Sequence, residues 1–173
     1  TGGNCRGDDH RGAAWQPQTV QYQAARAARL LRRGHVGKEH RAGLQGLAEF
    51  GHINVLWWSH YLDTPDHRSV VEAEQPYKQG PAKLGIFATR SPLRPNPVCV
   101  TTVAVLHVDV ANGLVVIPWI DAENGTPILD IKPYEPSGDR VREIRMPEWC
   151  QHWPQWLEDS AEFDWEAEFV NAR

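Results

Sequence analysis

Apolar side chains recur along this chain in two ways. Between residues 46 and 132 they form short β-branched or aromatic runs separated by glycine, proline and asparagine; after residue 146 they return as tryptophans three and four positions apart. The run Ile53, Val55, Leu56, Trp57, Trp58 within GLAEFGHINVLWWSHYLD has the length and composition of a buried strand. Residues 63–82 hold three prolines among polar side chains and predict a long surface loop. KLGIFAT predicts a second strand, ended by Pro92, Pro95 and Pro97, and VCVTTVAVLHVDV a long third one. Asn112-Gly113 lies between LHVDV and LVVIPWI and predicts a hairpin, since a tight hairpin turn needs residues that tolerate positive φ. ILDIK, another short strand, follows the Asn124-Gly125 turn. The sum is a mainly β, antiparallel structure.

The two ends differ from this middle. QTVQYQAARAARLLRR sets Val20, Ala24, Ala27 and Leu31 at helical spacing with arginines elsewhere, the arrangement of a basic amphipathic helix. Residues 1–45 therefore read as an atypical basic segment, a solvated helix or unordered arm, with an RNA-touching arm as the alternative. At the other end, MPEWCQHWPQWLEDSAEF places Trp149, Trp153 and Trp156 on one helical stripe, provided Pro154 opens a new turn. Packing is the first reading of these rings, a substrate-stacking platform the second. The expected organisation is a basic segment over 1–45, a β core over 46–145, and a Trp-rich helical extension over 146–173.

Composition narrows the function. The first 45 residues carry eight of the 18 Lys/Arg and three of the 22 Asp/Glu, leaving ten against nineteen for the rest. So acidic a body opposes extensive non-specific binding to phosphate backbones, and any nucleic-acid contact must be local. No apolar run approaches the roughly 18 residues of a membrane span, and no secretory signal is recognisable. Cys5, Cys99 and Cys150 form no CxxC pair and fit reduced thiols in the cytoplasm. The sequence has no phosphate-cradling glycine loop, GxSxG elbow, HExxH or dinucleotide fingerprint. His52 and His60 have no Cys or Asp cluster at ligand spacing, so no metal is expected.

GIFATRSPLRPNPVCV carries the chemistry that remains. Three prolines fix three φ angles, so the loop is stiff and loses little entropy on holding a ligand. On it Arg90 and Arg94 offer planar donor forks suited to a carboxylate or phosphate. The competing reading pairs both arginines with the many acids of the chain.

GIFATRSPLRPNP, together with IDAENGTPILDIKPYEP, resembles the two signature segments of the TsaA-like family, also called TrmO. GLAEFGHINVLWWSH resembles the segment leading to the first signature, and the likeness covers residues 46–136. The resemblance implies a closed antiparallel β-barrel and a homodimer binding S-adenosyl-L-methionine near the subunit interface. It also implies methyl transfer to N6 of the threonylcarbamoyl-modified adenosine beside the tRNA anticodon. By position, donor contacts fall on His60, Tyr61, Arg90, Val100, Glu123, Asn124, Gly125 and Thr126, with Arg94 as the second cation of the loop. Asp130, Lys132 and Tyr134 match the second signature and stand as the catalytic, acceptor-side candidates, Asp130 or Tyr134 taking the amine proton. Cys99 replaces a glycine of the family, and the family's N-terminal strand is not recognisable in residues 1–45. Two alternatives keep the same donor: a methyltransferase acting on a small molecule, and a non-catalytic binding module.

Overall fold

The computed structural model describes residues 20–23 and 38–170. Among them, eight strands form three antiparallel sheets: β1 (Val20–Gln23), β7 (Leu114–Ile117) and β6 (His107–Asp109) in that order; β5 (Val98–Ala104), β2 (His52–Trp58) and β8 (Ile128–Pro133); and the pair β3 (Glu72–Glu74) with β4 (Lys83–Gly85). β2 is the central strand. Its side chains alternate, with Ile53, Val55 and Trp57 buried and His52, Asn54, Leu56 and Trp58 turned to the other face, as a pleat of period two requires. β5 pairs with it along all seven residues, from His52 opposite Ala104 to Trp58 opposite Val98. On its other side β8 runs from Pro133 opposite Ile53 to Ile128 opposite Trp57, with a register shift between Leu56 and Trp57. Pro133 is tolerated because β8 is an edge strand.

The buried face of β2 packs on Val103 of β5, Ile128 of β8, Val115 and Ile117 of β7, and on Leu44 and Leu47 from the turns before β2. Two sheets thus share one core. They do not close into the expected barrel: among the described residues no ladder joins the edge of one to the edge of the other. At Val105 and Leu106 the segment read as one long strand divides into β5 and β6, as Val105 N–H donates to the Gly51 carbonyl and Leu106 N–H to that of Val116, both at 2.9 Å. The two sheets are joined there by a bend of the chain and not by a ladder.

Three other expectations are revised. KLGIFAT is a strand only over Lys83–Gly85, and Ile86–Ala88 forms a 3-10 turn that buries Ile86. Residues 63–82 contain the helical turn α1 (Pro65–Arg68), capped by Thr64 Oγ1 accepting from His67 N–H at 3.2 Å, and the strand β3. Val20–Gln23 is a strand opposite Leu114–Ile117 where a helix was expected; the remainder of that helix lies outside the described residues.

The Asn112-Gly113 hairpin forms as predicted between β6 and β7. The Asp109 carboxylate accepts from the Asn112 backbone at 3.0 Å and from its side chain at 2.7 Å, while Gly113 takes φ 67. A β-carbon at Gly113 would be strained by that φ and would meet Arg41 Cγ at 3.1 Å. Gly113→Ala is therefore expected to cost about 1–2 kcal/mol in a urea titration.

The C-terminal segment is not one helix but three short turns, Glu148–Cys150, Glu158–Ala161 and α2 (Trp165–Glu168). They surround Tyr77, which stacks on Trp149 at 5.1 Å between ring centres and meets Trp153 at 5.0 Å and Phe169 at 5.4 Å. Glu168 is buried beside this cluster, its carboxylate 2.8 Å from His152 Nε2 and accepting from Trp153 Nε1 at 3.0 Å. Those bonds, His152 first and Trp153 next, hold the carboxyl below its ordinary value of 4.5. Protonating Glu168 is therefore harder in the folded chain than in the unfolded one. Its stabilisation is complete above pH 4.5 and is lost as pH falls through the depressed folded-state value. Glu168→Gln is expected to flatten the acid limb of a tryptophan-fluorescence unfolding curve.

Candidate functional site

Three loops meet at one end of the β5-β2-β8 sheet. As β2 ends, Trp58 N–H donates to the Pro127 carbonyl and Ser59 N–H to that of Pro97, both at 2.9 Å. Two backbone bonds thus set side by side the turn after β2, the end of the proline-arginine loop, and the segment leading into β8.

The turn after β2 is the 3-10 stretch His60–Leu62, in which the His60 and Tyr61 rings lie 3.9 Å apart at 37° and Tyr61 is exposed. Ahead of β8, Thr126 N–H closes on the Glu123 carbonyl at 3.0 Å with Gly125 at φ 88, the position where such a turn calls for glycine. Thr126 is buried, and its hydroxyl sits 3.5 Å from His60 Nδ1. His60 and Thr126 are brought together; Glu123, Asn124 and Gly125 stay exposed at the turn's tip.

In the proline-arginine loop the arginines divide. Arg94 turns back, donating to the carbonyls of Thr89 at 3.3 Å and Ser91 at 3.4 Å, with its guanidinium 5.7 Å from the exposed Phe87 ring. Thr89 and Ser91 add their own turns, accepting from Ser91 N–H and Leu93 N–H at 3.2 Å. Arg94 stitches the loop together. Arg90 is exposed and makes one long bond, 3.4 Å to the Val100 carbonyl, which leaves most of its fork for a ligand.

Sequence reasoning missed the brace behind this site. Asp63 accepts from Arg68 at 2.8 Å and from Trp58 Nε1 at 3.0 Å, and Arg68 also reaches Asn96 Oδ1 at 3.4 Å. The Arg68 hydrogen bond, then that of Trp58, keeps the Asp63 carboxyl below its usual value. The turn after β2 is thereby tied to the proline-arginine loop. The only sequence signal was Thr64-Pro65, a helix start close to the site.

Cys99 is half-buried and packs against the core. Burial first, then the Asp121 charge, pushes its thiol up, against a smaller pull from Arg94 and Arg90. A thiol held protonated is a packing group, not a nucleophile.

The acceptor-side candidates lie along β8. Asp130, opposite Leu56, pairs with Lys132, opposite Asn54, at 2.7 Å, and this bond raises the Lys132 ammonium. Tyr134 bonds through its N–H to the His52 carbonyl at 3.0 Å, at the other end of β2. Strand rise puts that end roughly 20 Å from the loops. Asp130 and Lys132 stand together, while Tyr134 stands apart from Arg90 and Thr126. Among the described residues no group of three His, Cys, Asp or Glu could hold a metal.

Two adjoining rings, a buried hydroxyl, turn amides and a largely free guanidinium suit an anionic tail joined to a flat heterocycle. A probable S-adenosyl-L-methionine-binding protein of Pyrococcus horikoshii is 39% identical over 61% of this chain and 74% of its own length. The tRNA (adenine(37)-N6)-methyltransferase of Homo sapiens is 35% identical over 79% of this chain, which spans only 29% of that protein. A solved TrmO from Pseudomonas aeruginosa is 31% identical, covers 60% of this chain and 40% of its own, and has a TM-score of 0.44. The family model described as the tRNA-methyltransferase O N-terminal domain matches residues 10–140. That match takes in the proline-arginine loop, the Glu123–Thr126 turn and all of β8, well over half of the chain, which therefore belongs to the TrmO N-terminal domain family.

Proposed function

We propose that this chain is an S-adenosylmethionine-dependent methyltransferase whose acceptor is N6 of an adenosine beside the tRNA anticodon, in its threonylcarbamoyl-modified form. The carrying observation is the meeting of three segments at one end of the β5-β2-β8 sheet, the turn after β2, the end of the proline-arginine loop and the approach to β8, fixed by the bonds from Trp58 and Ser59, with His60 beside Thr126. The human relative's name supplies the acceptor and the archaeal relative's name the donor. In this reading Arg90 binds the donor's carboxylate, and the His60 and Tyr61 rings with the amides of the Glu123–Thr126 turn hold its nucleoside. The bound donor supplies a methyl group already activated on a sulfonium. The chain's work is therefore orientation and exclusion of water. Asp130, paired with Lys132, offers a carboxylate for the amine proton, and Tyr134, at the far end of β2, is left out of that role.

A second copy of the chain completes the proposal, since Val98 and Val100 expose apolar side chains on the outer face of β5. A cytoplasmic setting accords with the free thiols of Cys99 and Cys150. No described helix is long and apolar enough to cross a membrane. The acidic body favours one other acceptor, a small molecule, and the archaeal relative's name favours a donor-binding module.

One experiment separates the three. The protein is incubated with methyl-labelled donor and, separately, unmodified tRNA, threonylcarbamoylated tRNA and a metabolite extract. Label is expected in the modified tRNA. Label only in the extract would select the small-molecule reading, and calorimetric donor binding without any labelled product would select the module.

A further inference from the structure

The body of this chain is acidic, yet Arg140, Arg142 and Arg145 lie within six consecutive positions against one acid, Glu143. All three are exposed, and among the described residues none is paired with a carboxylate. The segment has no regular structure, and its apolar members also face outward, with Val141 66% and Ile144 62% exposed. Trp156 comes back beside it: the Arg140 guanidinium lies 5.7 Å from the indole centre, and the ring is 60% exposed. The later part of the segment borders a concave surface lined by Glu143, Ile144, Arg145, Met146, Gln151 and Gln155. Trp149 and Trp153 are consumed by the Tyr77 cluster, and Trp156 is not.

The strip also starts in a meaningful place. Asp139, the residue before Arg140, accepts from Asn54 Nδ2 at 2.8 Å, and Asn54 stands opposite Lys132 on β8. Thr102 Oγ1 donates to Asn54 Oδ1 at 2.7 Å and fixes that amide. The arginines therefore lead away from the face that carries Asp130 and Lys132.

We infer that residues 140–145 with Trp156 form a binding strip for single-stranded RNA, the arginines tracking phosphates and the indole stacking on a base. Guanidinium groups alternating with an exposed ring are what such a strand requires, because phosphate charge and base faces recur along it whatever its sequence. The Gln151 amide adds a donor and an acceptor for base edges, and Gln155, whose nitrogen donates to the Trp153 carbonyl at 2.8 Å, adds its side-chain oxygen. The inference rests on tRNA being the acceptor and assigns the part of the chain that grips it.

The test measures binding of a fluorescein-labelled anticodon stem-loop RNA to the full chain across a salt series. Calorimetry with S-adenosylmethionine is run in parallel on every variant. Arg142→Ala/Arg145→Ala is expected to reduce the slope of log K against log salt by about 1.4, two phosphate contacts on a single strand. Trp156→Ala is expected to weaken binding about tenfold with the slope unchanged, and Trp156→Phe to restore most of it. Donor affinity should be the same in all of them. RNA affinity unchanged by these substitutions, or no RNA binding by the parent chain, would overturn the strip. So would displacement of the RNA by polyglutamate as effectively as by unlabelled RNA, which would mark a surface for an acidic protein. Loss of donor binding in the parent chain would instead strike the proposed function.

Discussion

Alanine at Arg90 is expected to raise the dissociation constant for S-adenosylmethionine by one to two orders of magnitude and to leave the melting curve unchanged. A charge-assisted hydrogen bond to a carboxylate contributes about 1.5–3 kcal/mol, which converts to roughly tenfold to 150-fold in affinity. The fold should not notice the change, because Arg90 is exposed and its one internal bond, to Val100, is long. Arg94→Ala is the informative control. That side chain holds two carbonyls of its own loop, so its loss should loosen the loop and weaken the donor less. Isothermal titration of both variants checks the pair, and an Arg90 variant that binds like the parent would remove the carboxylate from this loop.

Tyr77→Ala should produce the largest loss of stability. The ring is buried and touches Trp149, Trp153 and Phe169, and removing a large buried aromatic costs about 3–5 kcal/mol. For a chain of this size that lowers the melting temperature by about 10 °C. The loss should be local in character. Tyr77 also forms an isolated backbone bridge with Phe169, and Lys78 N–H donates to the Glu168 carbonyl at 2.9 Å. Without the ring, the segment from Glu148 onward should become the first site of limited proteolysis while donor binding persists. An unchanged denaturation midpoint would mean that the aromatic cluster is not a second core.

Much of the middle of the chain was legible, because there local chemistry and tertiary structure agree. Ile53 to Trp58 reads as buried strand and is the central strand; Asn112-Gly113 and Asn124-Gly125 read as turns and have Gly113 and Gly125 at positive φ. The proline-arginine loop was legible as a stiff support for cations. Which of its arginines faces outward was not, since that depends on carbonyls the fold brings within reach of Arg94. Failures came where a local signal has two outcomes. In VCVTTVAVLHVDV the apolar positions shift parity at the Val105-Leu106 doublet, but a bulge within one long strand would shift them in the same way, so the doublet alone does not mark the change of sheets. In VQYQ the alternation of Val20 and Tyr22 competes with the helical spacing of Val20, Ala24, Ala27 and Leu31, and pairing with β7 decides for the strand. Trp149 and Trp153 sit at helical spacing, yet Tyr77, more than seventy residues earlier, sets their positions.

Residues 98–109 serve first as the edge of one sheet and then as the edge of the other. Complete opening of the shared core frees the distal β6–β7 hairpin and β5 together, and with them the floor beneath the proline-arginine loop. Both ends of the domain then share one opening free energy. Saturating S-adenosylmethionine should accordingly slow deuterium uptake at Val115 and Ile117 by the same factor as at Ile53, although no donor atom comes near the hairpin.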